Sequence, residues 1–296
     1  MLKYVLLAFA IVLAVLIGVF WMVYAPLPDS PARPAVGYAY QTERDGRAIE
    51  YFVNGEGPLV VLMASAGREV SDFNELVTTL VASGYRTIAI EAPGIGGSAL
   101  PDEPMSLRDL ATDIDTVLAK ENVTDPVVVL GHAFGNRVVR AFAHDHAPRV
   151  RAAILIAAGG QKPVPVEASK ALRAAFDPTV PANVREENIR MAFFAGDNPI
   201  PDYWKVGWYR HTATLQGKSW QQMGDEPWQA AGGVPILVVQ ADSDTVAPKE
   251  DASDALAEEF AGRVEVALIE DAGHALLPEQ PDAIAQAILR YLDQLN

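Results

Sequence analysis

The chain contains no cysteine, which excludes disulfides, thiolate metal sites and a thiol nucleophile, and leaves the redox compartment open. It is short of basic residues: 23 Lys and Arg stand against 38 Asp and Glu, a net charge of −15. That balance argues against a nucleic-acid partner, because phosphate neutralisation needs clustered Lys and Arg. No internal repeat is present, and no Gly-x-Gly-x-x-Gly precedes a helix. Gly94-Ile95-Gly96-Gly97 has the wrong spacing for a dinucleotide site. His144-Asp145-His146 has the residue types of a metal site, but residues two apart on a helix point to different faces, so no metal is expected there.

What is present is apolar. Half of the 296 residues are hydrophobic, enough for one large domain or a domain with an insertion. Tyr4 to Ala25 runs 22 residues without a charge, and about 20 helical residues cross a hydrocarbon core. Lys3 lies before the run, and Tyr4, Trp21 and Tyr24 sit near its ends. Pro26 would follow any cleavage after Ala25, and the run exceeds the core of a signal peptide. The reading is an uncleaved signal anchor over 1–25, a single-pass membrane location with the C-terminal domain outside the cytoplasm, and a stiff Pro-rich linker over 26–37. Removing Lys3, Asp29 and Arg33 (net +1) leaves 35–296 at −16, an acidic water-facing domain.

Strand-length apolar runs then alternate with helical stretches. Arg47–Val53 alternates; Leu59–Met63, Thr87–Ile90, Val127–Leu130, Ala153–Ile156, Ile236–Val239 and Val264–Ile269 are nearly continuous, as suits strands buried on both faces. Ser71 and Ser106 read as helix starts, the second with Asp109 three residues on. Phe134–His146, Lys249–Phe260 and Pro281–Leu295 complete the helices. The fold class is α/β, a mostly parallel sheet flanked by helices, with the core over 38–160 and 233–296. Between Gly159-Gly160 and Gly232-Gly233 the composition changes: Trp204, Trp208, Trp220 and Trp228 all fall there. Residues 161–232 therefore read as a mainly helical cap, whose aromatics either line a pocket (Trp204 and Trp208) or pack the cap's own core.

Val127 to Arg137 is a buried strand, then Gly131-His132-Ala133-Phe134-Gly135, then a helix. This is the layout of a Gly-x-Ser-x-Gly turn with Ala133 where the nucleophile would stand. With three further motifs, the chain from about Arg47 to its end resembles the α/β-hydrolase family. The three are Glu91 to Ser98 after the fourth strand, Ala241 to Pro248 as the acid loop, and Asp271-Ala272-Gly273-His274-Ala275 as the turn of the base.

The resemblance implies His274 as base and Asp244, rather than Asp242, as its partner. It also implies an oxyanion site made by the backbone N–H groups of Ala66 and Phe134. Where many members have His-Gly, this chain has Ala64-Ser65; two changes facing one pocket point to natural divergence rather than a single replaced residue. Ser65 is either a substitute nucleophile or a loop hydroxyl bonded to backbone, Ser98 reads as a turn residue, and Arg68 either meets an anionic substrate group or is a solvated side chain. The implied function is hydrolysis of an ester, lactone or other small acyl substrate, without a cofactor, by a His-Asp dyad lacking an elbow serine. Two alternatives stay open: a catalytically silent binding protein, and a lyase or cofactor-free oxygenase that abstracts a proton with the same dyad. Halide and epoxide hydrolysis is disfavoured, since that branch of the family needs Asp at position 133.

Overall fold

The computed structural model describes residue 3 and residues 12–15, 32–159, 162–219 and 227–295. The apolar run Tyr4–Ala25 lies outside the described residues except for Val12–Val15, and among the described residues no helix is long and apolar enough to cross a membrane.

Eight strands form one sheet among the described residues: β1 (Tyr38–Arg44), β2 (Arg47–Asn54), β3 (Leu59–Met63), β4 (Arg86–Ile90), β5 (Val127–His132), β6 (Val150–Ile156), β7 (Ile236–Ala241) and β8 (Val264–Ile269). Their order is β1-β2-β4-β3-β5-β6-β7-β8. From β4 to β8 all pairs are parallel, while β1 and β2 join by antiparallel pairing. The expected strands are all present, and β1 is additional. It is an edge strand, half of it exposed on both faces, so it carries no apolar run to read. Its sequence signal is Asp45-Gly46, both at positive φ, which closes a tight hairpin onto β2.

The central runs are continuous because each face of the sheet meets its own helices. Val61, Met63 and Val129 pack with α2 (Leu107–Lys120) and α3 (Phe134–Asp145) on one side. Val60, Leu62 and Leu130 pack with α1 (Asn74–Ala82) and α9 (Pro281–Gln294) on the other. Ser106 does open α2: it accepts from Asp109 N at 3.1 Å while Asp109 accepts from its backbone N–H at 2.8 Å. Ser71 does not open a helix start of that kind. It lies inside a short 3-10 turn, Val70–Phe73, its hydroxyl bonded to Glu69, and α1 begins three residues later.

Among the described residues, four α-helices lie between β6 and β7: α4 (Val166–Ala175), α5 (Ala182–Phe193), α6 (Asp202–Lys205) and α7 (Arg210–Ser219). The helix before β8 is shorter than expected, α8 (Ser253–Glu259). The end of the expected linker is docked on the domain. Ala32 N donates to Glu69 at 2.9 Å, and Arg33 forks onto Glu75 at 2.6 Å with its guanidinium 3.7 Å above the Tyr203 ring.

Candidate active site

At the C-terminal end of β5 the chain turns sharply into α3, and Ala133 takes φ 46°, ψ −108°, a conformation unfavourable for any residue with a Cβ. The flanking glycines are dictated by space. A Cβ on Gly131 would lie 2.3 Å from the Gly135 carbonyl carbon, and one on Gly135 would lie 2.0 Å from the Met63 carbonyl oxygen. Gly135 thus lets the first turn of α3 sit against the end of β3 and the loop that follows. Below the turn, Asn136 donates to the Ala133 carbonyl and accepts from Arg140 at 2.7 Å. The strained turn is intact; only the hydroxyl is missing.

His274 arrives from the loop between β8 and α9. Its Nδ1 is 2.8 Å from Asp244 Oδ2, while Asp244 Oδ1 accepts from the N–H groups of Val246 and Ala247 at 2.9 and 2.7 Å. A carboxylate held this way accepts the Nδ1 hydrogen, which fixes the tautomer and turns Nε2 toward the cavity that His274 lines. Asp242 serves elsewhere, accepting from Asp271 N and Ala272 N and so anchoring the start of the His274 loop. Gly273 is bare because the Phe193 carbonyl oxygen lies 2.5 Å from where its Cβ would be.

Two contributors to this loop had no sequence signal. Glu279 accepts from Gly273 N and Ala195 N, both at 2.8 Å, tying the His274 loop to the segment after α5; burial raises its pKa. His132, buried beneath the elbow, bonds through Nε2 to the His274 carbonyl at 3.0 Å. A carbonyl only accepts, so Nε2 carries the hydrogen and Nδ1 is left without a partner. Burial first, and the neighbouring His274 second, lower the His132 pKa to about 4, keeping the ring neutral.

The cavity beside His274 has a volume of about 160 Å³. Ser65, Ala66, Ala133 and Phe134 all line it. Among the described residues, no hydrogen bond uses the N–H of Ala66 or Phe134 or the hydroxyl of Ser65. Ser65 is therefore not a loop hydroxyl bonded to backbone; only its carbonyl is engaged, by Arg68 N at 3.2 Å. Ser98 is the turn residue expected, bridging Glu50 N and Glu91 O at 2.9 Å each.

Three expectations for the pocket are corrected. Arg68 is neither solvated nor a cavity residue. It is fully buried, forked onto Asp72 at 2.9 and 2.8 Å, donating to the Val206 and Gly207 carbonyls at 2.6 and 3.0 Å and lying over the rings of Trp204 and Trp208. Trp204 and Trp208 stand one layer behind the cavity wall, packed on each other and on Phe193, which itself lines the cavity. The three residues form a lock between the loop after β3 and the helices above it, completed by Gly67 N donating to Gln216 in α7 at 2.8 Å.

The model of the alpha/beta hydrolase family matches residues 51–287. The chain belongs to that family. Bifunctional epoxide hydrolase 2 of Rattus norvegicus is 28% identical over 130 residues, 43% of this chain, and the match spans 23% of that protein's length. Among solved structures, a membrane phospholipase A, a bacterial virulence factor, superposes with a TM-score of 0.73 at 21% identity, covering 99% of both chains. A thermophilic esterase from Thermogutta terrifontis gives 0.69 at 21% identity, covering 88% of this chain and 99% of its own. These likenesses show the fold.

Proposed function

We propose that this protein hydrolyses a small acyl substrate, an ester or lactone, by general-base activation of water. The observation that carries the reading is the geometry of His274 and Asp244, 2.8 Å apart and opening on a cavity that Ala66 and Phe134 also line, whose backbone N–H groups are the candidate oxyanion donors. Ala133 leaves the nucleophile's place empty of any reactive atom, and a water there would meet His274 Nε2. His274 takes a proton from the water as its oxygen bonds to the acyl carbon, the two N–H groups hold the oxyanion, and His274 returns the proton to the departing alkoxide. General-base help of this kind contributes about 10²–10⁴-fold, so the enzyme is expected to be slow. An alkylation at the elbow, as epoxide opening by a carboxylate requires, has no group at Ala133 to perform it. Ser65, with an unengaged hydroxyl in the same cavity, is the competing nucleophile.

The test uses nitrophenyl esters of short acids. His274→Ala should abolish turnover and Asp244→Asn should lower it about 10⁴-fold, because the carboxamide holds the wrong tautomer. A fluorophosphonate probe that labels Ser65 would replace the water route by a serine route. A wild type no faster than buffer would leave a binding protein as the reading, which the missing hydroxyl at Ala133 favours. Membrane attachment through Tyr4–Ala25, with the acidic domain outside the cytoplasm, belongs to the same proposal. The match of the membrane phospholipase A fold over 99% of the chain is in keeping with it.

A further inference from the structure

The loop that carries His274 is bent against its own preference. Asp271 and Leu276, at either end of it, stand at φ 52° and 41°, conformations that a residue with a Cβ keeps only where its surroundings hold it. Hydrogen bonds hold the peptide groups around His274. Its carbonyl accepts from His132 Nε2 at 3.0 Å, Ala275 N donates to the Phe193 carbonyl at 2.8 Å, and Gly273 N donates to Glu279 at 2.8 Å. The first of these comes from the sheet; the other two lead to the end of α5. Phe193 is the last residue of that helix, and Glu279 turns its other oxygen to Ala195 N at 2.8 Å and Asn198 Nδ2 at 3.0 Å. Asn198 Nδ2 also donates to the Asp271 carbonyl, at 2.9 Å. The loop of the acid is tied to the same turn: Thr245, next to Asp244, donates from Oγ1 to the Met191 and Ala192 carbonyls at 3.1 and 3.3 Å.

We propose that Glu279 is a positioning residue for the dyad: its carboxylate fastens the His274 loop to the turn that ends α5, and the helices between β6 and β7 thereby set the line from His274 Nδ1 to Asp244. The two carboxylate oxygens serve separate partners, Oε2 taking Gly273 N and Oε1 taking Ala195 N, so the side chain bridges two segments rather than capping one. Bonds from backbone N–H to a carboxylate are charge-assisted, roughly twice as strong as neutral ones. The close approach depends on Gly273, since a Cβ there would lie 2.5 Å from the Phe193 carbonyl oxygen and 2.9 Å from Ala195 N. Phe193 also lines the cavity, its ring centroid 5.8 Å from that of His274, so the wall of the cavity and the holder of the base are one turn of chain. Without the bridge, the peptide of His274 keeps its grip on the sheet through His132 but loses its fixed angle, and the 2.8 Å bond to Asp244 opens more often.

This role rests on His274 being the base of the proposed reaction, yet it is read from the ring and not from turnover. A wild type without esterase activity therefore decides the reaction, and the ring signal decides Glu279. The chain has five histidines, so isotope-labelled histidine rings in the full chain, in detergent, give an NMR spectrum in which His274 is assigned by its loss from His274→Ala. At mildly alkaline pH the wild type should show His274 as the Nδ1–H tautomer, its Nδ1 proton moved downfield by Asp244 and slow to exchange with water. Glu279→Gln offers one oxygen to two segments and turns an NH₂ against the other N–H. It should speed that exchange roughly tenfold or more, the effect of one lost buried hydrogen bond, and move the proton upfield while unfolding stays cooperative. Leu118→Ala, a cavity between the sheet and α2, should lower stability at least as much and leave the His274 signal in place. Should Glu279→Gln fail to unfold cooperatively, Glu279→Asp is read in its place, since its shorter stem cannot reach both partners. The proposal is overturned by a His274 Nδ1 proton that is unchanged in the Glu279 variant, or by one that moves equally in Leu118→Ala. A wild-type His274 that does not hold its hydrogen on Nδ1 overturns it too.

Discussion

Ala133 is the residue on which the proposed chemistry turns. Its φ of 46° keeps the geometry of a nucleophile turn at a strain of about 1–3 kcal/mol, although the side chain it presents cannot react. Restoring the hydroxyl is therefore a one-atom experiment. Ala133→Ser is expected to raise turnover of a nitrophenyl ester above wild type and to make position 133 the site of fluorophosphonate labelling, checked by mass spectrometry of the labelled peptide. A folded variant that gains neither would mean that the N–H groups of Ala66 and Phe134 do not serve an oxyanion. His132 offers a second test at this scale. Its folded pKa, about 4, lies below the ordinary 6.5, so the unfolded chain binds its proton first as pH falls. The stability this neutral ring contributes is complete above about pH 6.5 and drains away toward pH 4, by a few kcal/mol in all. Buried carboxyls such as Glu91, whose pKa is raised by burial and by Glu69, slope the other way, so the difference between wild type and His132→Gln is the quantity to read. Urea unfolding at pH 7 and pH 5 should show the wild type losing more stability than the variant.

Among the elements, the helices between β6 and β7 behave as a packed layer before they behave as a substrate cover. Trp204 is fully buried, in edge contact with Phe194 and Trp208, and beneath the Arg68 guanidinium. Trp204→Ala is expected to lower unfolding free energy by about 3–5 kcal/mol through the cavity it leaves. Because Arg68 also closes the loop that carries Ser65 and Ala66, the same variant should lose activity through looseness at Ala66 rather than through a lost substrate contact. The check is a KM that changes little while kcat falls. A variant with native unfolding and an altered KM would return Trp204 to the pocket wall. The reason for the unusual Ala64–Arg68 sequence is visible at this scale as well. Arg68 fastens the loop to Asp72 and Gly67 fastens it to α7, while Ser65 and Ala66 between them and β3 line the cavity.

For the molecule as a whole, the docked stretch after the apolar run sets where the domain begins. Ala32 and Arg33 hold Glu69 and Glu75, so a chain shortened to start at Pro31 retains those contacts, while one starting at Ala35 gives up the fork onto Glu75. The full chain is expected to stay with membranes through a high-salt wash, and the chain from Pro31 to dissolve and melt above the one from Ala35. Recovery of the full-length protein mainly as a soluble chain beginning after residue 25 would show cleavage and end the anchor proposal.

Much of this molecule is legible in the order of its residues. Continuous runs such as Val127–Leu130 mark strands covered on both faces, since burial on both sides removes any need for a polar alternation. Gly131 and Gly135 mark the elbow, and Gly273 the base, because a Cβ at any of them would lie 2.0–2.5 Å from neighbouring backbone atoms. Asp244 was distinguishable from Asp242 by its place in the acid loop, and both positions prove to hold the His274 loop, from opposite ends. What the order of residues could not decide is which polar side chains face the cavity. Arg68 and Arg137 are alike as letters, each near a glycine and an aromatic. Only the packing of the layer between β6 and β7 encloses the first with Asp72 and sets the second in the wall of the cavity that His274 lines. Contacts of that kind join residues more than a hundred positions apart, such as Arg68 to Val206 and His132 to His274, and local pattern carries no information at that range.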